Sequence, residues 1–290
     1  MTQNLNSERN SSVTKHNALI EASYRLTLNE MRLLLYGISL INPLKTDFPT
    51  EFKIDIARFA SIFKTDKDGL YDDLKKSIIK KFWQREFSYR LIGNEVRLSR
   101  WLDQVDYYDK EGYLKIYFSE RIKPLLNDIS KNFTTFLIEE IASFKSIYAV
   151  RIYELAIMNL NRSNEHKCRF NISISALRDK LDLNNEYKRF CDFKARVLEK
   201  SRFEINKYSK LSISYNVEKL GRAPNSITFT AKLKKTEEDF KKAELDLLNK
   251  DVREKERRAN HKPIHYSSTS VTTLGASFQS ILNNLEKNID

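Results

Sequence analysis

Lys188, Arg189, Lys194, Arg196 and Lys200 crowd the stretch Glu186 to Ile205, where Asp192 and Glu199 are the only acids between Tyr187 and Phe203. Phe190, Phe193, Val197 and Leu198 fall at helical spacing in the same stretch, so one stripe is apolar and the remaining face is cationic. A helix of that kind can bury its stripe and insert its charged face into the major groove of DNA. Lys194 and Arg196 are the expected base-edge contacts, with Lys188 and Arg189 in reach near the helix start and Lys200 on the same face. Farther on, Lys207, Lys219 and Arg222 are expected on phosphates. The same charges would also suit an ordinary solvated helix face.

Catalytic constellations do not assemble in this sequence. The six glycines are too scattered for a phosphate-cradling loop or a dinucleotide fingerprint. His16, His166, His261 and His265 contain no His-hydrophobe-His pair of the rolling-circle nickase type. His261 and His265 have the spacing of helical zinc ligands, but Pro263 lies between them. His166 and Cys168 have no second pair to complete a metal site. Carboxylate pairs such as Asp72-Asp73 and Glu139-Glu140 read as solvated helix charges. The expectation is a protein that is not an enzyme and needs no metal or cofactor.

Composition narrows the setting. The net charge of +12 is unevenly spread: residues 142–235 carry 20 Lys/Arg against 9 Asp/Glu. Residues 1–141 carry 22 against 20, and residues 236–290 carry 9 against 10. Positive charge confined to the segment holding the basic helix is the footprint of a phosphate-backbone binder. Two cysteines provide no disulfide framework, and the start of the chain has no apolar signal-peptide core. Leu33 to Ile41 is too short to span a bilayer. A soluble cytoplasmic protein without a membrane partner is expected.

The elements that must position the basic helix recur twice. Thr27 and Glu30 form a capping box for a helix running toward Asn42-Pro43. A short strand follows at Glu51 to Ile54, then a helix capped by Asp55, then a second helix from about Asp68 to Trp83. Strand-like runs follow at Glu86 to Ile92, Glu95 to Asp103 and Tyr113 to Phe118, with turns at Gly93-Asn94 and Glu111-Gly112. In the second half a helix over Phe144 to Leu160 precedes a strand at Phe170 to Ile172 and a helix capped by Ser173 or Ser175. The basic helix comes next, then strands at Lys210 to Val217 and Ser226 to Leu233. Phe52-x-Ile54-x-Ile56 aligns with Phe170-x-Ile172-x-Ile174, and Tyr71, Leu74, Ile78 and Ile79 align with Phe190, Phe193, Val197 and Leu198.

That order describes an α+β chain of two tandem winged-helix domains related by an internal pseudo-repeat. The expected boundaries are a disordered stretch at 1–12, a first domain at 13–128, a second at 134–235, and a flexible charged tail at 236–290. In the first domain Lys75, Lys76, Lys80 and Lys81 are balanced in part by Asp68, Asp72 and Asp73, which suits weaker, auxiliary DNA contacts.

Three groups of residues resemble the replication initiators of theta-replicating bacterial plasmids with iteron origins. They are His16 to Ile20 with Tyr24 to Glu30; Ser146-Ile147-Tyr148 with Arg151 to Leu155; and Asp192 to Leu198 with Glu204-Ile205-Asn206 and Gly221-Arg222. The resemblance covers residues 13–235 and implies a second domain that reads origin repeats and a first that dimerises and touches the DNA backbone. It also implies dimers that repress the initiator's own promoter, and monomers that open the origin and recruit host DnaA and replicative helicase. A winged-helix repressor without an initiation role, or a rolling-circle nicking initiator, is the alternative.

Overall fold

The computed structural model describes residues 12–42, 48–66, 69, 81–90, 95–127, 131–163 and 165–234, all within the compact unit Met1–Leu247. The expected helix near Asp68 to Trp83, with Lys75, Lys76 and Lys80, lies largely outside these residues, as do the Gly93-Asn94 turn and the 236–290 tail.

The chain enters through β1 (Ser12–His16), α1 (Asn17–Glu21) and β2 (Ser23–Tyr24). Helix α2 (Leu28–Ser39) starts at the capping box: Thr27 Oγ1 accepts from the Glu30 amide at 3.2 Å, and Glu30 Oε2 accepts from the Thr27 amide at 2.7 Å. Residues Glu30 to Ile38 are all buried, so α2 is the central helix of its domain rather than a surface one. Its Gly37 permits close approach to the sheet, because a Cβ there would stand 2.4 Å from Ile116 Cδ1. Strand β3 (Phe52–Asp55) leads directly into α3 (Ile56–Phe63), whose first turn is capped by Asp55 accepting from the Arg58 amide at 2.7 Å.

The strand expected over Glu95 to Asp103 is in fact two strands in two sheets. β4 (Glu86–Tyr89) pairs with β5 (Arg97–Arg100) and with β2, whereas β6 (Leu102–Tyr108) pairs with β7 (Tyr113–Phe118) and, through it, β3. Trp101 is the corner. Its fully buried indole packs against Phe87 at 4.2 Å and edge-on against Tyr24 at 4.9 Å, so the chain turns there to bury it. Burying so large a side chain contributes roughly 3 kcal/mol, enough to override the local tendency to run straight. A further strand that the sequence did not announce, β8 (Phe133–Leu137), pairs antiparallel with β1.

The second half is built on α4 (Ile147–Ser163), β9 (Lys167–Ser173) and α5 (Ile174–Lys180), with Ser173 Oγ capping α5 by accepting from the Ala176 amide at 3.1 Å. Phe190–Phe193, a π-turn at Lys194–Glu199 and Lys200–Tyr208 run on as one helix, α6. The hairpin β10 (Leu211–Leu220) and β11 (Ala223–Leu233) closes the domain. Both strands extend farther toward the tip than the sequence pattern suggested, and Gly221 makes the turn at φ +62°.

The internal repeat is visible in the topology. The two sheets run β6-β7-β3 and β10-β11-β9, each placing the short strand beside the second strand of its hairpin. Phe52 pairs with Ile116 in one, and Phe170 pairs with Phe229 in the other. Helix, strand, helix, helix and hairpin in the second half, with the same sheet order in the first, make two winged-helix domains.

The domains are joined by charge as well as by apolar packing. On α4, the Arg151 guanidinium donates to the Ala22 carbonyl at 2.7 Å, to the Lys180 carbonyl at 3.2 Å and to the Tyr24 hydroxyl. Glu154 lies beside it, 3.3 Å from Arg151 and 2.6 Å from Lys15. One residue of β1, one turn of α4 and the end of α5 thus share a dry polar cluster.

Candidate nucleic-acid interface

The loop before α6 is shaped by a single side chain. Arg178 of α5 donates to the carbonyls of Leu183 at 3.3 Å, Glu186 at 2.8 Å and Tyr187 at 2.6 Å, while its guanidinium lies 4.5 Å over the Phe193 ring. Asp182 and Tyr187 take left-handed backbone conformations at φ +51° and +49°, which the three carbonyl contacts hold in place. The first domain also reaches this loop: Arg25 pairs with Glu186, and Tyr148 meets Tyr187 edge-on at 6.2 Å.

Helix α6 is held on its buried side by polar as well as apolar groups. Phe193, Val197, Leu198 and Ile205 are core residues. Glu204, 4% exposed, accepts from the amides of Lys145 and Ser146 at 2.9 and 3.0 Å, seating a carboxylate at the start of α4 where free amides and the helix dipole favour it. Asn206 donates to the Ile213 carbonyl at 3.0 Å and accepts from the Ile213 amide at 2.6 Å, continuing the β10 edge onto the helix. Lys234, beyond β11, donates to the carbonyls of Asn206 and Ser209 at 2.6 and 2.8 Å and so caps the helix end. The hairpin is further tied to α6 by the Tyr215 hydroxyl, which donates to Glu199 at 2.6 Å.

With one side so fixed, the opposite side faces solvent. Lys194, Ala195 and Arg196 are consecutive exposed residues on the π-turn, followed by exposed Lys200, Phe203 and Lys207. A π-turn widens the helix locally, and such turns recur at functional sites. Lys188 and Arg189 are exposed too, but they precede the helix rather than belong to its first turn. Arg189 grips Asp192 through two hydrogen bonds of 2.8 and 3.2 Å, and that contact holds the Asp192 carboxyl below its ordinary pKa. Arg196 and Lys194 form no ion pair among the described residues; Glu199, an alternative partner for Arg196, is engaged by Arg202 at 2.8 Å. Lys219 and Arg222 stand exposed at the hairpin tip beside Leu220, itself 75% exposed. Of the expected auxiliary contacts, Lys81 is described and exposed.

Sequence reasoning named the outward cations and missed the inward scaffold: Arg178, Glu204, Asn206 and Lys234. A signal existed, since Ser201 and Glu204 continue the stripe of Val197 and Leu198 and are buried polar residues at apolar positions. The π-turn leaves no such mark, because Lys, Ala, Arg and Leu all suit an ordinary α-helix. Among the described residues no three His, Cys, Asp or Glu side chains are grouped to hold a metal, and no helix is long and apolar enough to cross a membrane.

Comparison with known proteins places this geometry. Residues 12–157 match the family described as "Initiator Replication protein, WH1", and residues 173–231 match "Initiator Rep protein, WH2". A "Replication initiation protein" of Escherichia coli is 27% identical over 233 residues, covering 76% of this chain and 69% of its relative. An "Uncharacterized 27.6 kDa protein" of Escherichia coli is 20% identical over 229 residues, covering 72% of this chain and 91% of the other. A solved structure, "Crystal structure of Pi initiator protein in complex with iteron DNA", superposes with a TM-score of 0.67 at 23% identity, over 79% of this chain and all of that one, and shows the same fold. Both winged helices are thus matched in order, the first across half the chain, and the chain belongs to the initiator replication protein family.

Proposed function

We propose that this chain is a plasmid replication initiator that binds repeated origin DNA, with the outer face of α6 in the major groove and the β10–β11 tip on the adjacent backbone. The observation that carries the reading is the pairing of a rigidly seated helix with an exposed cationic face at Lys194, Arg196 and Lys200 that forms no ion pair among the described residues. Base-edge contact falls to Lys194 and Arg196, with Lys188 and Arg189 flanking. Phosphate contact falls to Lys207, Lys219 and Arg222. Lys81, with Lys75, Lys76 and Lys80, supplies auxiliary contacts from the first domain. The solved initiator carrying iteron DNA supports this choice of ligand.

Self-association through the first domain completes the proposal. β5 is an outer strand of its sheet, with Leu98 75% exposed and Val96 50% exposed beside it, a surface suited to strand pairing with a second copy. Dimers would repress the initiator's own promoter; monomers would open the origin and recruit host DnaA and replicative helicase. Initiation in the cytoplasm without catalysis by the chain itself follows. The test is a plasmid carrying the gene and its flanking direct repeats, maintained with wild-type chain or with Arg196→Ala. Loss of replication together with loss of repeat binding supports an initiator. Repression without any replication of the wild-type plasmid leaves a repressor.

A further inference from the structure

The outer face of the second domain's sheet carries a polar surface that the α6 reading does not use. Pairing sets Lys167, Lys232 and Ser212 in one row across β9, β11 and β10, and Arg169, Thr230 and Ser214 in the next. Three strands make this face about 10 Å wide. Lys167 and Arg169 are exposed, and neither is taken up in an ion pair among the described residues. Beside them a groove of about 530 Å³ opens where α4 ends and β9 begins, walled by Asn159, Arg162, Ser163, Glu165, Lys167 and Arg169.

Toward the hairpin tip the character changes. The Glu218 carboxylate accepts from Ser226 at 3.1 Å, from Asn171 at 3.2 Å and from the Thr228 hydroxyl, so an acid closes that end of the face. The Lys167 row lies eight residues along β10 from Leu220, about 26 Å at strand rise. The row at Lys167 is also on the face opposite the buried Ile213, Ala231 and Cys168, so it stands apart from the cations of the hairpin tip and can address a different stretch of polyanion.

We propose that Lys167, Arg169 and Lys232, with the hydroxyls of Ser212, Ser214 and Thr230, form a second, sequence-indifferent site for the phosphate backbone of duplex DNA. Charge complementarity and the flat row of hydroxyl donors select phosphate oxygens. No aromatic side chain stands on these two rows, so the face lacks the stacking platforms that hold single strands. Such a site lets one initiator hold its recognition sequence and a neighbouring segment of duplex together.

The experiment measures affinity of the full chain for a random-sequence 30-bp duplex and for an oligo-dT strand of equal length, across a salt series. In a Lys194→Ala/Arg196→Ala background, adding Lys167→Ala/Arg169→Ala should weaken the duplex a further 5–10-fold and reduce the salt slope by about 2, as expected for two fewer phosphate contacts. Glu165→Gln, which removes an acid from the groove wall, should strengthen the duplex about twofold. All substitutions are at exposed positions, and urea midpoints verify folding. No further loss on adding Lys167→Ala/Arg169→Ala overturns the proposal. A loss confined to oligo-dT overturns it in favour of single strands, and displacement by polyglutamate at lower charge than by duplex overturns it in favour of an acidic protein. If Lys194→Ala/Arg196→Ala by itself changes neither affinity nor sequence preference, the α6 reading falls, and the sheet face is still judged by its own pair.

Discussion

Lys15 Nζ lies 2.6 Å from a carboxylate oxygen of Glu154, and both side chains are completely buried. Arg151 touches the other oxygen, so one carboxylate stands between two cations brought from β1 and α4. Burial drives the Lys15 pKa down and Glu154 opposes that shift. Glu154→Gln should therefore cost about 3–5 kcal/mol, because it strands two buried cations. Lys15→Met, which removes a charge together with its desolvation cost, should cost less. Urea unfolding of the two variants tests the order; a larger loss for Lys15→Met would contradict it.

Tyr24 offers a pH test. Burial holds its hydroxyl far above the ordinary tyrosine pKa, and Tyr153 is raised by burial as well. A group whose folded pKa is raised contributes stability present below its unfolded value, near 10, and lost as pH climbs toward the folded value. Stability should fall between about pH 10 and pH 12. Lys15 acts with the opposite sign below its own unfolded pKa, so the informative measurement is the difference made by Tyr24→Phe. That variant should lose part of the alkaline slope in urea midpoint against pH while remaining folded at pH 8.

Glu204 is expected to matter for recognition without touching DNA. Glu204→Ala leaves the Lys145 and Ser146 amides without their acceptor and should cost about 1.5–3 kcal/mol. Glu204→Gln, which keeps one acceptor oxygen, should recover much of that. If DNA affinity fell in Glu204→Ala with no change in unfolding midpoint, the residue would have to be reassigned to the interface.

Arg196 and Arg222 should separate base reading from backbone contact. Arg196→Ala should cost about 1–3 kcal/mol on the cognate repeat and relax preference at the base it meets. Arg222→Ala should weaken cognate and random duplexes equally. Mobility shifts on both DNAs decide; an unchanged cognate-to-random ratio in Arg196→Ala would mean that α6 faces another way.

Leu98 should govern self-association. Leu98→Lys puts a charge on the outer β5 strand and should shift light-scattering mass from dimer toward monomer while raising the fraction that binds repeats. A chain that is monomeric before the substitution at high concentration would remove the β5 edge from the argument.

Local signals read well from the sequence, and long-range ones did not. The Thr27–Glu30 capping box, the Asp55 cap and the matching Phe52 and Phe170 strands are set by neighbours a few residues apart. The split at Trp101, the β1–β8 pair and the Arg151 cluster depend on partners from 14 to 139 residues away, invisible to periodicity. The candidate interface divides along the same line. Outward cations are legible as composition, whereas Arg178 and Glu204 become visible only once α4, α5 and α6 are placed together.

Lys234 sets a practical limit on how the second domain can be cut. The family match ends at residue 231, yet the side chain that plugs the end of α6 comes from three positions later. A fragment trimmed to the matched border would present the same recognition surface on a helix with an unstoppered end, and weak binding by it would be mistaken for a missing contact. A fragment carried through Lys234 keeps the plug in its socket.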